Sequence, residues 1–237
     1  MVEKTYKNIL VSSSATVVAE FLTLPICTIK TNFQNISDMK FQPRIWDVTK
    51  SIYNRGGISP FYAASFPAIF GQIFSTTSKY TLYRYFESNN EYPVKNKFLN
   101  GMTAGIISSI FTHPMDVIKV HLQMGKRIGI KDINIFYKGY SKTFLKIGIS
   151  SSLFFPLYEI IQKKIENPFL SAGSSGIVAC FLMHPVDYLK TRHMAGLKLY
   201  DGWDPRVYYR GFSINLLRIV PHFVVTMVVI EKLKEKI

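Results

Sequence analysis

The sequence predicts an all-α membrane protein built from three two-helix repeats, and three observations carry that prediction. The stretches PICTIKTNFQ (25–34), PMDVIKVHLQ (114–123) and PVDYLKTRHM (185–194) share one pattern: Pro, a short residue two later, and Lys three beyond. Recurrence of one segment along a chain marks a repeat architecture. Six apolar blocks (9–29, 61–83, 98–118, 140–161, 169–189 and 212–230) each hold about 20 residues, the length a helix needs to cross a hydrocarbon core. Finally, long and short connections alternate, and charge alternates with them. The three long ones, Lys30 to Arg55, Lys119 to Lys138 and Lys190 to Arg210, carry 15 Lys or Arg against five Asp. The two short ones, Arg84 to Lys97 and Glu159 to Glu166, carry five basic and four acidic residues.

Composition narrows the function class. A formal charge of +14 on 237 residues would suit nucleic acid or an anionic surface. A basic, soluble nucleic-acid binder, however, has no use for six apolar blocks in succession, so no nucleic-acid partner is expected. The blocks are diluted by Ser, Gly and Thr, which suits helices lining a polar interior. Cys27 and Cys180 both lie inside apolar blocks, so no disulfide framework is expected. No cleavable signal is evident in MVEKTYKN and the block after it.

Taken in order, the first helix runs from about Tyr6 to Phe33 and bends at Pro25, because Pro lacks a backbone donor and crowds the preceding turn. An amphipathic piece, RIWDVTKSIYNRGG (44–57), leads to a second helix from Phe61 to about Glu87. After the turn SNNEYP (88–93), helix three bends at Pro114. The basic loop GKRIGIKDIN (125–134) and FYKGY (136–140) open helix four, which reaches Lys164. ENP (166–168) turns into helix five, bent at Pro185, and YYRGF (208–212) opens helix six. The repeats fall at about 1–90, 91–166 and 167–237 of a single domain. Aligned on the prolines, Ser12, Gly101 and Ala172 match, as do Thr16, Gly105 and Gly176. Small residues four apart predict close helix approach. The positive-inside rule puts the long loops on the matrix or cytoplasm-equivalent face and both termini opposite.

In each repeat the short residue and the Lys lie three apart on one helix face: Asp116 with Lys119, Asp187 with Lys190, and Cys27 with Lys30. Such pairs are ordinary helix-end ions when alone. Three of them around a pseudo-threefold axis could close a pore by cross-pairing.

The motif P-x-[D/E]-x-x-[K/R]-x-[K/R]-x-Q, followed by the aromatic-basic-Gly steps YKG (137–139) and YRG (209–211), resembles the mitochondrial carrier family over nearly the whole chain. The resemblance implies six tilted transmembrane helices around a central cavity, alternating access across the mitochondrial inner membrane, a monomer, and cardiolipin among the lipid partners. In size and composition the chain is similar to carrier-like proteins of giant DNA viruses. The family's pairing scheme implies gate pairs Asp116–Lys190 and Asp187–Lys30, braces at Gln34 and Gln123 with Met194 unable to serve, and Lys119 left without a partner because Cys27 replaces the acid. A second network at the far helix ends would pair Glu231 with Arg84 and Glu159 with Lys234. In repeat one Asn32, Ala63 and Ala64 also depart from the pattern, and Thr81 replaces an acid.

Ionisable residues inside apolar blocks are costly and therefore functional candidates. At the family's substrate-contact level stand Gly71, Lys146 and Arg218, with Glu20 at another cavity level and Lys142 and Lys79 nearer the ends. Arg218 and Lys146 against one acid imply an anionic substrate; a structural pairing with Glu20 is the alternative. Nucleotides or deoxynucleotides such as dATP or ADP are favoured. Gly71 would leave room for a bulky ligand, and Phe74, Tyr80 or Tyr83 could stack on a base. Carboxylates, phosphorylated cofactors and a non-transporting scaffold remain open. The ADP/ATP-exchanger run of Arg and Met is absent at NLLRIVPHF (215–223). His113 and His184 read as plugs for backbone freed by the prolines. No phosphate loop, metal-ligand spacing or nucleophile–base pair appears, so neither enzyme activity nor a cofactor is expected.

Both gates look incomplete on the side of repeat one, which predicts fast interconversion. Restoring an acid by Cys27→Asp should slow exchange in loaded liposomes; unchanged or faster exchange would count against that view.

Overall fold

The computed structural model describes residues 2–36, 43–88, 97–126, 133–164, 168–200 and 202–234. These residues form helices and connecting turns, with no strand among them. Helices α1 (Val2–Gln34), α4 (Ser65–Ser88), α5 (Lys97–Gln123), α7 (Tyr140–Gln162), α8 (Pro168–Met194) and α10 (Phe212–Lys234) are long. Between them lie short α2 (Ile45–Tyr53), α3 (Ser59–Tyr62), α6 (Ile133–Phe136) and α9 (Pro205–Tyr208). A pair of long helices with short helix between them, two pieces in the first case and one in the others, therefore occurs three times.

The long helices close into a ring. α1 packs on α10 and α4, α5 on α4 and α7, and α8 on α7 and α10. Pro25, Pro114 and Pro185 lie inside α1, α5 and α8, which stay helical through them. Hydroxyl groups are accommodated because they bond within their own helix: Thr23 donates to Ala19 O at 2.7 Å and Ser78 to Phe74 O at 2.7 Å. Among the described residues, no helix is long and apolar enough to cross a membrane.

Apolar side chains instead mark the outside of the ring, with Phe66 73 %, Phe111 62 % and Leu217 63 % exposed. The predicted close approach at small residues holds only in part. A Cβ on Gly105 would sit 3.2 Å from Ile147, so α5 and α7 do meet closely there. Gly101 and Gly176 face open space and line cavities, so the missing side chains widen the interior instead. The side chains of Ser12 and Ala172 lie outside the described residues.

The short helices seal one end of the ring. Val48 and Ile52 of α2 are buried with Phe61 against Ile29, Phe33 and Ile36. α9 starts at Asp204, whose carboxylate accepts from Arg206 N at 3.0 Å, with Pro205 in its first turn. The aromatic-basic-Gly steps turn the chain into α7 and α10 through Gly139 (φ 82°) and Gly211 (φ 78°). This is left-handed backbone open to Gly at little steric cost. In repeat one Ala63 is right-handed (φ −56°) and Ala64 lacks positive φ, so the same corner is made by a helical turn.

The expected role of the histidines as plugs for proline-freed backbone is corrected. His113 Nε2 donates to Lys138 O at 3.2 Å, and His184 Nε2 to Arg210 O at 3.1 Å. Each thus anchors the Gly corner of the following helix. Repeat one, with Leu24 at that position, uses Thr28, which donates to Phe61 O at 2.9 Å.

Gly139→Ala would place a Cβ 3.4 Å from Met194 N in left-handed backbone. It should cost about 1–3 kcal/mol and lower Tm in detergent by several degrees, whereas Ala64→Gly should shift Tm far less.

Candidate functional site

The site is built where α1, α5 and α8 pass their prolines. One helical turn beyond, the structure brings Lys30 of α1 to Asp187 of α8 at 2.5 Å, and Lys190 of α8 to Asp116 of α5 at 2.9 Å. The expectation that Lys119 stands alone is corrected. It bonds Glu20 of α1, since Cys27 offers no carboxylate and the flexible Lys stem reaches the deeper acid. Glu20 is buried (2 % exposed) and also accepts from Arg218 of α10 at 3.1 Å, with His222 Nδ1 at 3.9 Å. Asp187 likewise holds two cations, Lys30 and Lys146 of α7. The alternative that paired both midplane cations with Glu20 is half met: Arg218 does so, and Lys146 goes to Asp187.

These groups surround a polar interior. A cavity of about 400 Å³ is lined by Gly71, Gln72, Lys79, Asp116, Lys119, Lys146 and Lys190, among others. A second, of about 280 Å³, is lined by Lys30, Cys180, Asp187, Asn215 and Arg218, and shares Lys146 and Ser150 with the first. Among the described residues, six cations (Lys30, Lys79, Lys119, Lys146, Lys190, Arg218) thus face three carboxylates (Glu20, Asp116, Asp187). Such an excess in a walled cleft focuses a field that concentrates anions.

Several expected site residues are placed differently. Lys142 lines neither inner cavity. A Cβ on Gly71 would lie 3.2 Å from Met115 Cβ, so the space it frees is taken up by α5. Phase on the helix also turns the proposed stacking residues away. Phe74 is 42 % exposed and packs edge-on against Phe111 at 6.3 Å, while Tyr80 and Tyr83 line neither inner cavity. The side chains of Arg84, Glu159, Glu231 and Lys234, the expected second network, lie outside the described residues.

Below the ion pairs, a collar joins the ends of α1, α5 and α8 through three unlike seams. Between α1 and α5, Thr31 donates to Gln123 Oε1 at 2.7 Å and Asn32 to Gln123 O at 2.8 Å. Arg55 adds bonds to Met124 O at 3.1 Å and Asn32 Oδ1 at 3.2 Å. Between α8 and α1, Arg192 donates to Gln34 O at 3.1 Å and Ile36 O at 2.8 Å. The Gln34 side chain reaches Arg210 O at 3.5 Å and so does not brace the Lys30–Asp187 pair. Between α5 and α8 the seam is apolar: Val117, Val120, Met194 and Ala195. Sequence reasoning missed Arg192 and Arg55. The signal for Arg192 was its place two residues after the motif Lys, where it satisfies carbonyls that a helix end leaves unpaired.

The family model described as mitochondrial carrier protein matches residues 2–89 and 90–134. The chain is 51 % identical over 235 residues to "Mitochondrial carrier-like protein L276" of Acanthamoeba polyphaga mimivirus, covering 98 % of this chain and 97 % of that one. It is 26 % identical to "Probable calcium-binding mitochondrial carrier K02F3.2" of Caenorhabditis elegans, covering 89 % of this chain and 36 % of the relative. It is 24 % identical to the human "Electrogenic aspartate/glutamate antiporter SLC25A13, mitochondrial", over 94 % of this chain and 40 % of that one. The chain thus spans well under half the length of the last two.

Arg192 is 1 % exposed, and its loss leaves the α1 carbonyls without their donor. Arg192→Ala should destabilise by about 2–3 kcal/mol, read as a fall in Tm. Arg192→Lys should not restore it, since a single ammonium cannot replace the planar fork.

Proposed function

The chain belongs to the mitochondrial carrier family, a family of transporters and not enzymes, and on that premise we propose that it exchanges anionic solutes across the mitochondrial inner membrane by alternating access. The helices would span the bilayer as an assembled ring. Inward charges and hydroxyls make each one too polar to stand alone in lipid, and the apolar outer face supports contact of the whole ring with acyl chains. The basic long connections favour the matrix side, with both termini opposite, and anionic lipid such as cardiolipin is a fitting neighbour. A monomer is the proposed state, supported by a cavity that the helices of one chain surround.

The observation that carries the reading is the charge of the interior, six cations against three carboxylates among the described residues. The uncompensated charge is about +3, which suits a polyanion bearing phosphates better than a singly charged solute. Nucleotides or deoxynucleotides such as dATP or ADP are therefore the substrate class proposed. Arg218 and Lys146 are the cations that would take the phosphates, with Lys79 and Lys119 lining the larger cavity beside Lys146. Asp116, Lys190, Asp187 and Lys30 form the closure on the loop side. A second reading, a small amino or dicarboxylate anion, is favoured by the aspartate/glutamate antiporters among the relatives and by the absence of Phe74, Tyr80 and Tyr83 from the lining of the inner cavities.

Uptake of labelled dATP, ADP, malate and aspartate into loaded proteoliposomes decides among these. Nucleotide exchange that falls by about tenfold or more in Arg218→Ala is expected, the loss typical when one partner of a buried charge-assisted contact is removed. Uptake of malate or aspartate alone would keep the carrier and overturn the substrate. No uptake of any of them would leave a carrier-fold scaffold.

A further inference from the structure

Resting on the carrier reading, we propose that Glu20 is the third acid of the loop-side closure, moved into the cavity, and that it couples closure to the arrival of substrate. The ion pairs on α1, α5 and α8 form a cycle. Lys30–Asp187 ties α1 to α8, and Lys190–Asp116 ties α8 to α5. The remaining tie, α5 to α1, has Cys27 where an acid would complete the pattern. Cys27 is buried, 7 % exposed. Lys119 completes the cycle by bonding Glu20, seven residues earlier on α1. Seven residues is about 10.5 Å along a helix, so this tie sits some two turns deeper than a motif acid would.

Depth changes what the tie responds to. Glu20 gives one oxygen to Lys119 and the other to Arg218 of α10. Lys119 lines the larger cavity and Arg218 the adjoining one. An anion entering there offers both cations a new partner and places like charge beside a carboxylate that is 2 % exposed. It therefore competes with Glu20 from within the cavity, without reaching the loop end. The two loop-end pairs hold α8 to its neighbours, whereas the α1–α5 tie loosens when the cavity fills. Glu20 acts here as a positioning residue: it holds closure through Lys119 and reads occupancy through Arg218.

Cys27 supplies the reporter. Its thiol is covered while α1, α5 and α8 are closed, so opening of the loop face should raise its reaction rate with a maleimide on a poly(ethylene glycol) chain too large for the cavity. The full chain is labelled in lipid nanodiscs with and without dATP, and peptide mass spectrometry separates Cys27 from Cys180. The unaltered protein should label slowly and accelerate with dATP. Glu20→Gln should label about tenfold faster without dATP, as expected when a buried ion pair loses one partner, and gain nothing further from it. Glu20→Asp, which keeps the charge, should restore slow labelling and its acceleration. Asp116→Asn, which cuts a loop-end pair, should label fast yet still accelerate.

Glu20→Gln labelling at the unaltered rate without dATP, or still accelerated by it, overturns the proposal. So does loss of acceleration in Asp116→Asn. Uptake measured on the same preparations separates the two readings. Transport of dATP without any dATP effect on Cys27 would sink the coupling and leave the carrier. Absence of transport with fast-labelling Glu20→Gln would sink the carrier reading and leave Glu20 as a closure residue alone.

Discussion

Two carboxylates, one buried and one half-buried and each shared by two cations, hold this molecule together at its centre. Glu20 joins α5 and α10 to α1, and Asp187 joins α1 and α7 to α8. Taking charges out of water is costly, and attraction between partners offsets that cost only when geometry is good. A carboxylate with two cationic donors meets that condition. The polar dilution of the helices, the small residues facing the cavity and the apolar exterior all follow from placing these groups inside a ring.

Much of this was legible in the sequence, for identifiable reasons. A motif repeated three times fixes which face of α1, α5 and α8 turns inward, so cross-pairing of each Asp with a neighbour's Lys could be read from spacing, while the particular pairs Asp116–Lys190 and Asp187–Lys30 were implied by the family resemblance. The Gly corners could be read too, since only Gly adopts the backbone of Gly139 and Gly211 at little steric cost. What could not be read depends on side-chain reach and helix phase. Lys119 finds Glu20 because a flexible Lys can swing two turns along its neighbour, a choice that spacing within one repeat does not encode. Phe74 looked available for stacking until its phase put it on the outer face beside Phe111.

Repeat one departs from the others at Cys27, Leu24, Asn32 and Ala64, yet nearby groups supply each missing contact. Glu20 takes Lys119, which Cys27 leaves without an acid, Thr28 bonds the corner that a histidine holds in the other repeats, and a helical turn stands in for the Gly corner. Asn32 bonds Gln123 O across the α1–α5 seam, as Arg192 bonds Gln34 O across the α8–α1 seam. Divergence from a motif is thus a poor guide to loss of its role when a neighbouring side chain can reach the same partner.

The three seams of the collar are unequal in kind as well as in place. Those between α1 and α5 and between α8 and α1 rest on hydrogen bonds and a buried guanidinium. The α5–α8 seam is grease: Val117, Val120, Met194 and Ala195. Water can replace a lost hydrogen bond but offers nothing to an exposed methyl group. Wetting therefore splits the collar unevenly. Either polar seam, once parted, has water to bond its freed groups, whereas the oily α5–α8 seam has no such compensation and is the costliest of the three to open.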